Sequence, residues 1–172
     1  LYDVSAHGLD LGLTRIQSSL QMLVRHDLIE AEEADAMLDR ISPTTDLEEA
    51  VRDASFVVEA APEDLSLKQK LFVEFDRLAS DDAILATNTS GLRIGDVSAT
   101  VGRPERVVGS HFFLPAQVIP LVEVSRGPAT SDGTMDRTVA LWKACGKEPI
   151  RLEQDIPGYI ANRIQGALVR EA

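Results

Sequence analysis

His111 and Glu123 are the two side chains whose types and spacing suit chemistry, because an imidazole beside a carboxylate is a proton-transfer pair. His111-Phe112-Phe113 closes an apolar run that begins at Arg106, and Glu123 sits inside Pro120-Leu121-Val122-Glu123-Val124. Both runs read as strands, so two strands can bring the pair together. A carboxylate that accepts from one ring nitrogen fixes the tautomer and stabilises the imidazolium, which makes the other nitrogen a better proton acceptor. Oxidation of an alcohol needs such a base. A lone strand histidine is more often structural, so the residue types by themselves leave both readings open. His7 and His26 fall on a helical stretch and read as surface residues.

Two further clusters suit ligand binding. Ala86-Thr87-Asn88-Thr89-Ser90 ends another strand-like run, and small hydroxyl residues at the C-terminal edge of a parallel sheet can hydrogen-bond a substrate oxygen. The same residues also suit a plain Ser/Thr turn. Leu1-Tyr2-Asp3 resembles a strand ending in an acid, which the second strand of a dinucleotide-binding fold presents to the adenosine ribose. A turn or N-cap aspartate is the alternative. No G-x-G-x-x-G occurs in the chain, so the dinucleotide reading expects the first strand and phosphate loop upstream of Leu1.

The elements that must position these residues alternate. Ser5 is a plausible N-cap for a long helix to about Asp27, with Leu9, Leu13, Ile16, Leu20, Leu23 and Val24 at helical spacing. A second helix carries Ala31, Ala34, Met37 and Leu38, residues 41–45 read as a short strand, and residues 47–52 as a helical turn. Strand 55–60, helix 65–79 and strand 83–88 follow, with Pro62-Glu63-Asp64 as a turn. This alternation implies parallel pairing through helical crossovers. Strands at 106–113 and 121–125, a helix at 131–145 capped by Gly146, and a strand at 149–152 complete the domain. A new apolar helix is expected from Tyr159, and Gly158 marks a boundary: residues 1–155 read as one domain and 156–172 as the start of a second, helical one.

Composition narrows the class. The 172 residues are 44% hydrophobic and 26% charged, as in soluble globular proteins. The formal net charge of −11 opposes polyanions, so no nucleic-acid partner is expected. Glu30, Glu32, Glu33, Asp35 and Asp39 read as a solvated helix face. No stretch approaches the roughly 20 apolar residues that span a bilayer, and no signal peptide is visible, so no membrane partner is expected. The single cysteine, Cys145, excludes an internal disulfide and suits a cytoplasmic location. It follows Trp142 and Ala144, where a free cysteine is expected to be a small buried hydrophobe. The reading calls for no metal.

Residues 86–92 (ATNTSGL), 109–115 (GSHFFLP), 120–124 (PLVEV) and 157–163 (PGYIANR) together resemble the 3-hydroxyacyl-CoA dehydrogenase family, in the family's order and near its spacing. DASFVVEAAPEDLSLKQKLF and GRPERVVGSHFF extend the match over essentially the whole chain. The resemblance implies a Rossmann-type α/β fold with a mostly parallel sheet, lacking here its first strand and glycine loop, and then the opening of an all-α domain that makes a homodimer. It implies NAD as cofactor and conversion of (S)-3-hydroxyacyl-CoA to 3-oxoacyl-CoA. His111 becomes the base and Glu123 the residue that orients it, while Ser90 bonds the reacting oxygen and Asn162 holds the substrate near its carbonyl. Asp3 would bind the ribose, Glu63 and Lys68 would lie toward the nicotinamide, and Ser19 would touch coenzyme A. These 172 residues alone are expected to be inactive, because the pyrophosphate site is outside them. Two positions depart from the family: Leu114 stands where His-Phe-Phe-Asn-Pro has Asn, and His26 where a coenzyme A contact is often Lys. Relatives that oxidise small hydroxy acids, of gulonate or carnitine type, are therefore the alternative, and a non-catalytic relative is a third reading that the intact set Ser90, His111, Glu123 and Asn162 opposes.

Overall fold

The computed structural model describes residues 1–171 and divides into two compact units, Leu1–Asp53 and Ala54–Ala172. In the first unit, α1 (Ala6–Arg25) begins where Ser5 Oγ accepts from Gly8 N at 3.0 Å, so the predicted cap forms. Leu9 and Leu20 are its buried residues. After α2 (Ala31–Leu38) and α3 (Leu47–Val51), the five acidic residues of the expected solvated face are all exposed. The strands expected at residues 1–3 and 41–45 reduce to one parallel bridge between Tyr2 and Thr44.

The second unit is a five-stranded sheet in the order β1 (Phe56–Glu59), β2 (Ile84–Thr87), β3 (Val107–Phe112), β4 (Leu121–Arg126), β5 (Glu148–Leu152). All neighbours are parallel except β3 and β4. The eight-residue connection 113–120 is too short for a parallel crossover, so β4 returns antiparallel. β2 is buried at every position, as a strand covered on both faces must be.

Helix α4 (Leu65–Leu78) crosses from β1 to β2, with Asp64 accepting from Leu67 N at 2.8 Å as its cap. Short α5 (Ile94–Val97) precedes β3, and α6 (Asp132–Ala144), capped by Ser131, joins β4 to β5. One face of the sheet packs Val108, Val122 and Val124 with Met135, Val139 and Trp142 of α6. The opposite face carries Gly109, His111, Glu123 and Ser125. There α5 approaches so closely that a Cβ on Gly109 would lie 2.8 Å from Ile94 Cδ1.

Arg106, buried just before β3, bonds Asp76 Oδ1 at 2.7 Å and tethers that strand to α4. Two local expectations fail. Cys145 is exposed rather than buried, because it is the C-cap of α6 and leaves the face that Trp142 buries. The last helix, α7 (Ala161–Glu171), starts two residues later than Tyr159, since Gly158 and Tyr159 both have positive φ, 75° and 48°.

Candidate active site

The antiparallel register sets His111 directly opposite Glu123, and directly opposed residues share a sheet face. His111 Nδ1 and Glu123 Oε2 are 2.9 Å apart, with the two residues 5% and 1% exposed. The second carboxylate oxygen accepts from Ile160 N and Ala161 N, both at 2.9 Å. A buried carboxylate is costly unless hydrogen-bonded, and here the imidazole and the first amides of α7 satisfy it. Helix N-termini also favour negative charge. With Nδ1 donating to Glu123, Nε2 is the acceptor nitrogen, and it makes no hydrogen bond among the described residues. Phe113 and Tyr159 pack against the ring, at centroid distances of 4.7 and 5.3 Å. The Tyr159 hydroxyl is buried without a partner among the described residues. Burial, aided by Glu63, Asp155, Glu123 and Glu59, pushes its pKa far up and keeps the phenol neutral.

The segment after β2 is pinned by Glu63. Its Oε1 accepts from Thr89 Oγ1 and from the amides of Ser90 and Gly91, each amide at 3.0 Å. Burial alone would raise the Glu63 pKa, but the bonds from Thr89 and Gly91, the charge of Lys68 and the Ser90 amide outweigh it and hold it below the usual range. Asn162 Nδ2 donates to Ser90 O at 2.9 Å, which ties α7 to this segment. Asn88 Oδ1 accepts from Phe112 N at 2.9 Å and ties it to β3. His111, Glu123, Ser90, Asn162 and Glu63 thus belong to one connected cluster, with Ser90 exposed.

Lys68 lies beneath it. Its side chain is 1% exposed, and its ammonium bonds Glu59 Oε1 at 2.7 Å and Ala61 O at 3.1 Å and stands 3.6 Å from Glu63. Glu59 Oε2 accepts from Thr87 Oγ1 at 2.6 Å. In this arrangement Lys68 holds the turn that carries Glu63, with no free N–H facing solvent. Glu59 and Tyr159 are site residues that sequence reasoning missed, while Thr87 and Thr89 of the predicted hydroxyl cluster turn inward to Glu59 and Glu63. A charged residue closing the apolar run 56–59 was the available signal for Glu59.

Asp3 and Ser19 belong to the first unit. Asp3 Oδ1 accepts from Ser5 N at 2.9 Å and from Ser5 Oγ at 3.1 Å. Asp3 lines a cleft of about 350 Å³ with Gly8, Gly12 and Arg15 among its walls. A Cβ on Gly8 would stand 2.2 Å from Asp3 Oδ1, so the glycine makes room for the carboxylate. That cradle, with Oδ2 unbonded by described residues, fits ribose hydroxyls. Ser19 is half-buried on α1 and does not line the cleft.

Among the described residues no His/Cys/Asp/Glu group could hold a metal ion, and no helix is long and apolar enough to cross a membrane. Residues 1–156 match the family described as 3-hydroxyacyl-CoA dehydrogenase, NAD binding domain. The chain belongs to the 3-hydroxyacyl-CoA dehydrogenase family, and NAD is the cofactor of the matched domain. It is 37% identical over 172 residues to a probable 3-hydroxybutyryl-CoA dehydrogenase of Bacillus subtilis, covering 100% of this chain and 59% of that protein. It is 42% identical over 137 residues to an L-carnitine dehydrogenase of Streptomyces griseus, covering 80% and 41%. The solved (S)-3-hydroxybutyryl-CoA dehydrogenase of Ralstonia eutropha superposes with a TM-score of 0.93 at 34% identity, over 99% of this chain and 59% of that one. The family and the mostly parallel α/β fold are those expected from the sequence. The chain spans well under two thirds of the length of these relatives.

Proposed function

We propose that the protein carrying this chain interconverts (S)-3-hydroxyacyl-CoA and 3-oxoacyl-CoA with NAD, His111 Nε2 serving as the base. The observation that carries this reading is the buried His111–Glu123 contact of 2.9 Å, with Nε2 unbonded among the described residues. Bound NAD supplies the hydride acceptor. His111 takes the hydroxyl proton as the C–H bond at the same carbon breaks and its electron pair leaves with the hydrogen, forming the carbonyl. Glu123 stabilises the resulting imidazolium. Ser90, exposed on the pinned segment, bonds the reacting oxygen. One N–H of Asn162 is on Ser90 O, and the second is left for the substrate carbonyl. Asp3 favours NAD over NADP, because a carboxylate accepts from ribose hydroxyls and repels a 2′-phosphate. Glu63 and Lys68 shape the nicotinamide side, and Ser19 contacts coenzyme A. Residues 156–172 open a helical domain through which the whole protein forms a homodimer in the cytoplasm. The exposed Ile164, Leu168 and Val169 of α7 support that placement.

A second reading, oxidation of carnitine or a related small hydroxy acid, is favoured by the 42% identity to an L-carnitine dehydrogenase and by the exposed Leu114. NADH formation by the full-length protein on 3-hydroxybutyryl-CoA, carnitine and gulonate separates the two. A coenzyme A handle contributes remote binding energy, so kcat/KM on the thioester should exceed that on the free acids by at least about tenfold. Carnitine or gulonate matching the thioester replaces the first reading by the second.

A further inference from the structure

His111 is held from three directions. Glu123 fixes Nδ1, Phe113 meets the ring edge-on from the end of its own strand, and Tyr159 lies over it with the rings 35° apart. Only the first contact follows from proton transfer. Tyr159 arrives from the turn before α7, and that turn is unusual: Gly158 and Tyr159 are both left-handed, with φ of 75° and 48°. A side chain with a Cβ seldom adopts this conformation. Tyr159 nonetheless adopts it and is completely buried at 0% exposure, between the exposed Pro157 and Ile160. Its hydroxyl has no partner among the described residues, so the ring rather than the polar group accounts for the placement. The same turn aims Ile160 N and Ala161 N at Glu123 Oε1. One turn therefore delivers two amides to the carboxylate and an aromatic face to the imidazole which that carboxylate orients.

From this closed circuit we propose that Tyr159 is a positioning residue. Its ring locks the His111 imidazole in the plane that keeps Nδ1 on Glu123 and Nε2 on the open side. The catalytic consequence rests on the dehydrogenase reading above; the restraint on the ring does not. A base that can swing away from its near-attack geometry loses rate while ligand binding elsewhere is unaffected.

The test uses the full-length protein labelled with ¹⁵N-histidine, in which the His111 Nδ1 proton is assigned by its loss in His111→Gln. Tyr159→Leu should speed solvent exchange of that proton by about tenfold or more and lower kcat by about 10- to 100-fold, with KM for NAD within about twofold of wild type. Tyr159→Phe should leave all three quantities near wild type. If the Leu variant does not fold, Tyr159→Met reads the same quantities against the same thresholds. A folded Leu or Met variant with unchanged exchange and kcat overturns the proposal, as does a Phe variant that falls as far as Leu, since the hydroxyl would then be the operative group. A wild-type protein that forms no NADH on any hydroxy substrate, but whose exchange still responds to Tyr159→Leu, removes the dehydrogenase reading and leaves the positioning role standing.

Discussion

Glu59 at the end of β1 and Glu123 within β4 are both nearly excluded from water, at 3% and 1% exposure, yet they use their oxygens differently. Glu59 gives Oε1 to Lys68 and Ala61 N and Oε2 to Thr87, and every partner is fixed within the fold. Glu123 gives Oε1 to the Ile160 and Ala161 amides at the start of α7 and Oε2 to an imidazole whose far nitrogen has no partner among the described residues. A buried charge whose partners are all satisfied serves architecture. A buried charge connected to one open acceptor suits the proton transfer proposed above. Burial alone does not separate the two roles; the end of the hydrogen-bond chain does.

The comparison is broken most directly at its open end. His111→Gln in the full-length protein should lower kcat by about 10² to 10⁴, the usual worth of general acid–base catalysis, with NAD affinity nearly unchanged. Turnover close to wild type in steady-state assays ends the assignment. At the closed cluster the expected loss is of stability instead: Lys68→Met leaves Glu59 buried without its cation, which costs about 3–5 kcal/mol. Urea titration reads this, and a midpoint equal to wild type would show that the cluster does not hold the fold.

Asp3 extends the comparison to the other unit, since one oxygen is taken by Ser5 and the other has no partner among the described residues. Asp3→Asn should raise KM for NAD by about tenfold, near the lower bound for a hydrogen bond to a charged group, and narrow the preference over NADP. Kinetics with both cofactors checks it, and an unchanged ratio refutes the ribose contact.

The smallest effect is Glu63 and pH. Its folded pKa is lowered, so its contribution to stability is fully present above the unfolded value of about 4.3 and is lost as pH falls through the lower folded value. Hydrogen exchange at Ser90 and Gly91 should accelerate locally in that acid window relative to amides of β2 in the same samples. Uniform behaviour at all these amides would show that Glu63 does not pin the segment.

Much of this was legible in the sequence because it is local. Ser5, Asp64 and Ser131 cap helices as their types predict, and the apolar runs around Ile84, Val108 and Val122 became buried strands. The His111–Glu123 pairing was legible because both lie on strands that a short loop connects. The rest depends on tertiary neighbours. Nothing near Lys68 says that its charge will be buried against a glutamate nine positions earlier. Tyr159 reads as the first residue of an apolar helix, and only the left-handed turn reveals it as the cover of an imidazole. Cys145 was misread because apolar neighbours in sequence stop being neighbours in space at a helix end.

The direct pairing of His111 with Glu123 across β3 and β4 also bears on how such a protein changes its substrate. The distance between imidazole and carboxylate is set by two backbones in register, and a slip of one residue would send Glu123 to the opposite face. Residues 113–120, which join the strands and carry the exposed Leu114, can therefore diverge while that register persists. On the proposed dehydrogenase reading, molecular recognition is free to drift in this loop from one hydroxyl compound to another while the proton-transfer pair is inherited intact.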